Sequence, residues 1–294
     1  MTKPAPFDYL AAHTLDEALE ALADGYGDAV VLAGGQTLVP LLALRLSLPS
    51  VLVDINPIAE LQGVSRIDGA TRLGAVTRQA QVLRDPLVAR HVPGLAMATR
   101  FVGHHQTRNR GTLGGSLALA EPAAEYPATA LALGARMQAR SRAGERTIEA
   151  DDYFLGPYST ALQPDEILTA VDFPDWPAGA RTVVNEVARR PGDFALVGLV
   201  CALSVDAGKI ARAGVSWFGM GPTPMRSRRA EAALTGQAVE GLDLAGIAEL
   251  AVADTEPLDD IHASGRYRAT VARRIFPRIA RQALGQGPGQ EAAA

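Results

Sequence analysis

Cysteine is nearly absent: Cys201 is the only one in 294 residues. One thiol makes no internal disulfide and holds neither an iron–sulfur cluster nor a cysteine-based zinc site, so any iron–sulfur chemistry must come from another chain. In its apolar run Cys201 reads as a small core residue. Long hydrophobic runs are missing too. Each is broken by Gly, Arg or Pro before eighteen residues, which leaves no membrane span, and Met1–Tyr9 lacks the apolar core of a signal peptide, so a cytoplasmic location is expected. Positive charge is not in excess: 28 Lys and Arg against 32 Asp and Glu give a net charge of −4, which argues against nucleic acid as the main partner. There is no G-x-S-x-G nucleophile elbow, no Rossmann G-x-G-x-x-G and no Gly-Lys-Ser/Thr phosphate loop, so simple NAD and ATP sites lose ground. His104 and His105 are adjacent, and in an extended segment their side chains diverge, so no metal site is expected.

What is present suits a globular chain of two domains. Thr14 with Glu17 forms a capping box ahead of Leu15, Ala18, Leu19 and Leu22 at helical spacing. Val51–Ile55 and Thr71–Thr77 read as strands, with Thr77 capping a helix through Leu83. Pro93–Phe101 and Tyr126–Leu133 read as helices, Arg136–Ile148 as a hairpin and Glu166–Phe173 as a strand. Pro174–Gly179 is the clearest linker. Beyond it, strands at Asn185–Val187, Ala195–Val205 and Ile210–Phe218 precede helices at Ser227–Leu234, Leu244–Ala253 and Tyr267–Leu284. Strands and helices do not alternate regularly, which favours α+β over a doubly wound sheet.

Two glycine pairs stand out, AGGQTLVP at Ala33–Pro40 and GTLGGSLALAEPAAEYP at Gly111–Pro127. The first follows the apolar run Ala29–Leu32 and leads into a helix start, an arrangement in which Gly34 and Gly35 amides can converge on an anion such as a pyrophosphate. The second is followed by Glu121 and Glu125, carboxylates able to accept hydrogen bonds from a polyol. Either pair alone is equally compatible with a plain tight turn. Arg108, Arg110, Arg189 and Arg190 can meet phosphates, though a solvated basic face is the commoner role for such residues.

Four ordered segments, AGGQTLVPLLALRL, RNRGTLGGSLALAEPAAEYPA, YSTALQPDEIL and VARRPGDFALVG, together resemble the FAD-binding medium subunit of the molybdenum hydroxylases, the xanthine dehydrogenase and carbon monoxide dehydrogenase family. The closing Ser264–Arg268 is similar to that family's entry into its last helix. The resemblance implies an α+β fold: an FAD-binding region of the p-cresol methylhydroxylase type at 1–176, in subdomains of about 1–56 and 57–176, then a C-terminal domain at 177–285 with a three-stranded antiparallel sheet and a helical bundle, and a disordered tail at 286–294.

By the same resemblance, Val31, Leu32, Ala33, Gly34, Gly35, Gln36, Thr37 and Leu38 wrap the FAD pyrophosphate. Thr112, Leu113, Gly114, Gly115 and Ser116 serve the flavin and phosphates, and Glu125 meets the ribityl chain. Leu168 lies near the adenine end, Phe101 or Val102 packs by the isoalloxazine, and Phe194 stands where some relatives place a tyrosine. Glu186 occupies a position where some members carry a lysine, and Glu121 replaces the usual aspartate. The implied assembly pairs this chain with a large subunit holding the molybdenum cofactor and a small subunit with two [2Fe-2S] clusters, as a dimer of heterotrimers, with electrons leaving the FAD for an external acceptor. No catalytic residue is required of this chain, because the redox chemistry belongs to the cofactor. The competing readings are a self-contained FAD oxidase or dehydrogenase and a non-catalytic flavin-binding maturation protein.

Overall fold

The computed structural model describes residues 3–25 and 27–286; of the expected disordered tail, 287–294 lie outside the described residues. The chain opens with β1 (Asp8–Ala11), α1 (Leu15–Asp24), β2 (Ala29–Leu32), α2 (Leu38–Ala43) and β3 (Val51–Asp54). The capping box forms as its sequence demands. Thr14 Oγ1 accepts from the Glu17 N–H, and the Glu17 carboxylate accepts from the His13 and Thr14 N–H groups. Leu15, Ala18, Leu19 and Leu22 then share a core with Val53, Ile55, Ile58 and Leu61. The three strands make a parallel sheet of order β1-β3-β2, with Leu32 paired to Asp54. This register sets the chain leaving β3 beside the loop leaving β2.

A second unit follows: β4 (Val64–Ile67), β5 (Ala70–Gly74), α3 (Gln79–Val82), α4 (Pro86–His91), α5 (Pro93–Thr99), α6 (His105–Arg110), α7 (Leu113–Leu119), α8 (Glu125–Leu133), β6 (Arg136–Ser141), β7 (Gly144–Glu149), α9 (Ala150–Tyr153), β8 (Phe154–Gly156), β9 (Ser159–Thr160) and β10 (Ile167–Pro174). Five of these strands form an antiparallel sheet, β4-β5-β10-β6-β7, and β8 pairs with β9. Helix α8 is buried at every position, as a run without a polar face must be.

The structure departs from two local expectations. Thr77 caps no helix: its hydroxyl donates to Gly63 O, and α3 starts after Arg78 with no side-chain cap. The segment is extended only at His104, the N-cap, because His105–Arg110 coils into α6.

The remaining elements are β11 (Arg181–Val187), β12 (Val197–Asp206), β13 (Lys209–Phe218), β14 (Met225–Arg226), α10 (Arg228–Leu234), α11 (Leu244–Ala253) and α12 (Gly265–Ala283). The sheet is antiparallel, β11-β12-β13-β14, so the three expected strands gain a fourth of two residues. Both faces are covered. Leu199, Cys201 and Leu203 of β12 pack into the core under α10, α11 and α12, whereas Val200 and Ala202 join the core of the second unit. That alternation is the two-residue period of a strand buried on both sides. On β11, Val184 faces the second unit, and two residues on Glu186 shares that face. Among the described residues no helix is long and apolar enough to cross a membrane.

Candidate cofactor site

The two glycine pairs meet. After β2 the chain turns at Gly35, whose φ of 69° lies in the left-handed region glycine adopts without strain, and enters α2 as Val39 N–H donates to Gly35 O. Gly34 lies directly against the lead-in to the second pair. A Cβ there would fall 2.7 Å from Arg110 O, 2.8 Å from Gly111 Cα and 3.1 Å from Thr112 N, all backbone. Thr112 in turn is the N-cap of α7, its Oγ1 accepting from the Gly115 N–H at 3.0 Å. A Cβ on Gly115 would come within 3.7 Å of the Ala33 side chain and 4.0 Å of Gly34 N. At Gly34, backbone thus approaches backbone at a separation no larger residue permits, whereas the Gly115 approach to the first loop is ordinary van der Waals contact.

Beside this junction opens a cleft of about 350 Å³, lined by Leu32 to Gln36 together with Asp54, Asn56 and Arg110. It offers glycine backbone and a guanidinium, the donor set that suits a phosphate anion. Asn56 crosses its floor: Nδ2 donates to Ala33 O at 2.7 Å and its Oδ1 accepts from Arg78 Nη2 at 2.7 Å. Burial and the nearby charge of Arg110 hold the Arg78 guanidinium below its ordinary pKa.

A second cleft, of about 280 Å³, lies at the other end of α6 and is lined by Phe101, His104, His105, Arg108, Glu186 and Gly192, among others. Arg108 Nη1 donates to Val102 O and Gly103 O, holding the turn that presents Phe101. The His104 ring stacks so closely on Gly192 that a Cβ there would lie 2.3 Å from Cε1. Of two carboxyls that interact electrostatically here, Glu186 lines the cleft and Glu125 does not. Glu125, the first residue of α8, is 5% exposed, and burial, with a smaller push from Glu186, raises its pKa to about 8. Burial alone raises Glu186 to about 7, and its Oε2 is buried without a hydrogen-bond partner. A buried acceptor left open in this way is costly unless a ligand supplies the donor.

Residues 5–176 match the family described as the FAD binding domain in molybdopterin dehydrogenase, and residues 183–283 match the CO dehydrogenase flavoprotein C-terminal domain. The chain belongs to the FAD-binding medium subunits of the molybdenum hydroxylases. It is 39% identical over 283 residues, 96% of either chain, to the 6-hydroxypseudooxynicotine dehydrogenase complex subunit alpha of Paenarthrobacter nicotinovorans. Among solved structures, quinoline 2-oxidoreductase from Pseudomonas putida 86 matches with a TM-score of 0.91 and 39% identity over 97% of this chain and 99% of that one. Carbon monoxide dehydrogenase from Hydrogenophaga pseudoflava, lacking the Mo-pyranopterin moiety of its cofactor, matches with a TM-score of 0.93 and 32% identity over the same shares. This medium subunit is therefore part of an oxidoreductase, and its own cofactor is FAD.

The structure sorts the residues singled out by sequence. Leu32, Ala33, Gly34, Gly35 and Gln36 line the first cleft, and Phe101 and Glu186 line the second. Val31 packs against the first core, Thr37 is exposed ahead of α2 without a capping bond, and Leu38 begins that helix. Thr112, Leu113 and Gly114 are buried, with the Leu113 and Gly114 N–H groups donating to Thr77 O and Ala75 O; Gly115 and Ser116 are half-buried. Val102 contributes its carbonyl to Arg108. Leu168 sits in the core of the second unit and Phe194 is 63% exposed, and neither lines either of these two clefts. Asp54, Asn56 and Arg78 escaped the sequence reading. The only local signal was Asn56-Pro57, which reads as a strand end.

Proposed function

We propose that this medium subunit is the electron-transfer flavoprotein of a heteromeric hydroxylase, receiving electrons from [2Fe-2S] clusters on a small subunit and passing them to an external acceptor. A large subunit would carry the molybdenum cofactor and choose the substrate, in a dimer of heterotrimers. Bound FAD supplies the redox chemistry, accepting electrons singly and releasing them in pairs. The chain's own residues bind and orient it. Gly34, Gly35 and Gln36, with Arg110, face the pyrophosphate; Gly115 and Ser116 close the opposite side; Glu125 takes a ribityl hydroxyl, and Phe101 and Glu186 flank the ring end. Residues 1–176 form the cofactor-binding domain and 177–285 the domain that covers it.

The observation that carries this reading is the backbone contact of Gly34 with Arg110–Thr112 at the mouth of a cleft lined by a guanidinium. Higher identity to quinoline 2-oxidoreductase than to carbon monoxide dehydrogenase supports an N-heteroaromatic substrate for the assembled enzyme. The test is purification of the full chain, alone and with its partner subunits, followed by an absorption spectrum at saturating FAD. Flavin bands retained after desalting are expected; a colourless protein in both preparations refutes the reading.

A further inference from the structure

We infer that Asn56 and Arg78 form a buckle that fastens the two glycine loops to each other, and that both are positioning residues of the cofactor site. The inference rests on the reading of those loops as the FAD cradle. Asn56 is fixed first: its backbone N–H donates to Asp54 Oδ1 at 2.9 Å and its Nδ2 contacts the same oxygen at 2.5 Å, while Asp54 Oδ2 accepts from the Tyr9 hydroxyl at 2.6 Å. So held, the amide has a donor for Ala33 O, immediately before Gly34, and an acceptor for Arg78. The other arm of the Arg78 fork donates to Arg110 O. That carbonyl is the atom nearest to where a Gly34 Cβ would sit. One amide and one guanidinium therefore join the carbonyl before the first glycine pair to the carbonyl on which that pair rests.

The chemistry needs these two residue types. An amide side chain supplies a donor and an acceptor on two separate atoms of one planar group, and a guanidinium supplies two directed donors on a planar fork. An alanine at 56 loses both the donor to Ala33 O and the acceptor for Arg78, without setting a second carboxylate against Asp54. A lysine at 78 keeps the charge and loses the fork.

The buckle is not needed to hold the fold. Leu15, Leu19 and Val53 of the first unit share a core with Val76 and Ile167 of the second, and within the second Gln79 N–H donates to Gly111 O and Leu113 N–H to Thr77 O. Cutting the buckle frees the first loop to move against the second while leaving each unit's core untouched.

The experiment compares the full chain with Asn56→Ala and Arg78→Lys, each stripped of FAD and titrated with it by flavin fluorescence, alongside thermal unfolding of the FAD-free proteins. The expected result is at least tenfold weaker FAD binding in both variants, with a fall in FAD-free melting temperature too small to account for it. Visible circular dichroism of the saturated proteins should change in band shape, since a misaligned cradle alters the flavin's asymmetric surroundings. Wild-type affinity in either variant overturns the buckle, as does a fall in FAD-free melting temperature that accounts for the lost affinity. Failure of the unaltered chain to bind FAD instead refutes the cradle reading itself.

Discussion

Gly34→Ala is the most exacting perturbation of the site. The new methyl would sit 2.7 Å from Arg110 O and 2.8 Å from Gly111 Cα, and neither atom is the flexible end of a side chain. Relief requires the loops to part by several tenths of an ångström, and overpacking of this kind costs about 1–3 kcal/mol. The strain falls on the closed arrangement of the loops that the cleft requires, and where parting the loops relieves it the cost appears in affinity as a weakening of about 5- to 150-fold at 1.4 kcal/mol per decade. Gly115→Ala meets a softer neighbour, the Thr112 hydroxyl at 2.8 Å, and can escape by breaking the α7 cap at about 1 kcal/mol. Gly156→Ala has only Ser159 Cβ, at 3.8 Å, and should change stability by less than about 0.5 kcal/mol. The expected order of lost FAD affinity is therefore Gly34, then Gly115, then Gly156, read by titration with parallel thermal melts. A folded Gly34→Ala protein that binds FAD within twofold of the parent refutes the claim that the loops close on one another.

Other consequences follow from the charged and buried groups. Arg110→Ala should weaken FAD and ADP alike by about 10- to 150-fold, since a charge-assisted hydrogen bond contributes about 1.5–3 kcal/mol, and the loss should shrink as salt rises; equal ADP affinity in titration calorimetry removes Arg110 from the phosphate cleft. Glu125 has a folded pKa raised to about 8 from an ordinary 4.5, so the folded state binds the extra proton between those values and stability falls as pH rises through that window. Glu125→Gln should accordingly raise the melting temperature of the FAD-free chain at pH 8 more than at pH 5, and an equal effect at both sinks the assignment. Arg268 lies buried, donating to Leu196 O, Gly219 O and Asp260 Oδ2. Arg268→Met leaves two carbonyls unsatisfied at about 1–3 kcal/mol each, and chemical denaturation should register the loss. Cys201 is fully buried with its thiol pushed up to about 12, so a thiol reagent should label it only after unfolding.

What the sequence disclosed and what it hid divide along contact range. Thr14 and Glu17 exchange bonds within a single turn, so their capping box is written locally and forms as read. The hairpin around Ser141–Gly144 and the three C-terminal helices are likewise set by neighbours a few residues apart. Thr77 shows the limit: a residue with every local reason to cap a helix is claimed by Gly63 O, because the β4–β5 hairpin carries that carbonyl to its hydroxyl. His104 and His105 show it again, since α6 gains its place by packing on α3 rather than from propensity. The cofactor site is the strongest case. The glycine pairs were visible as motifs, but their junction depends on Arg110 arriving beside Gly34, and the fastening depends on Asn56 and Arg78, which carry no motif and gain their role from a parallel register that places Asp54 opposite Leu32. A four-residue strand has too few residues to announce its partner or its direction. The donors and acceptors that hold a site together are therefore the residues a motif search passes over, and in this subunit they sit one layer behind the glycines that it finds.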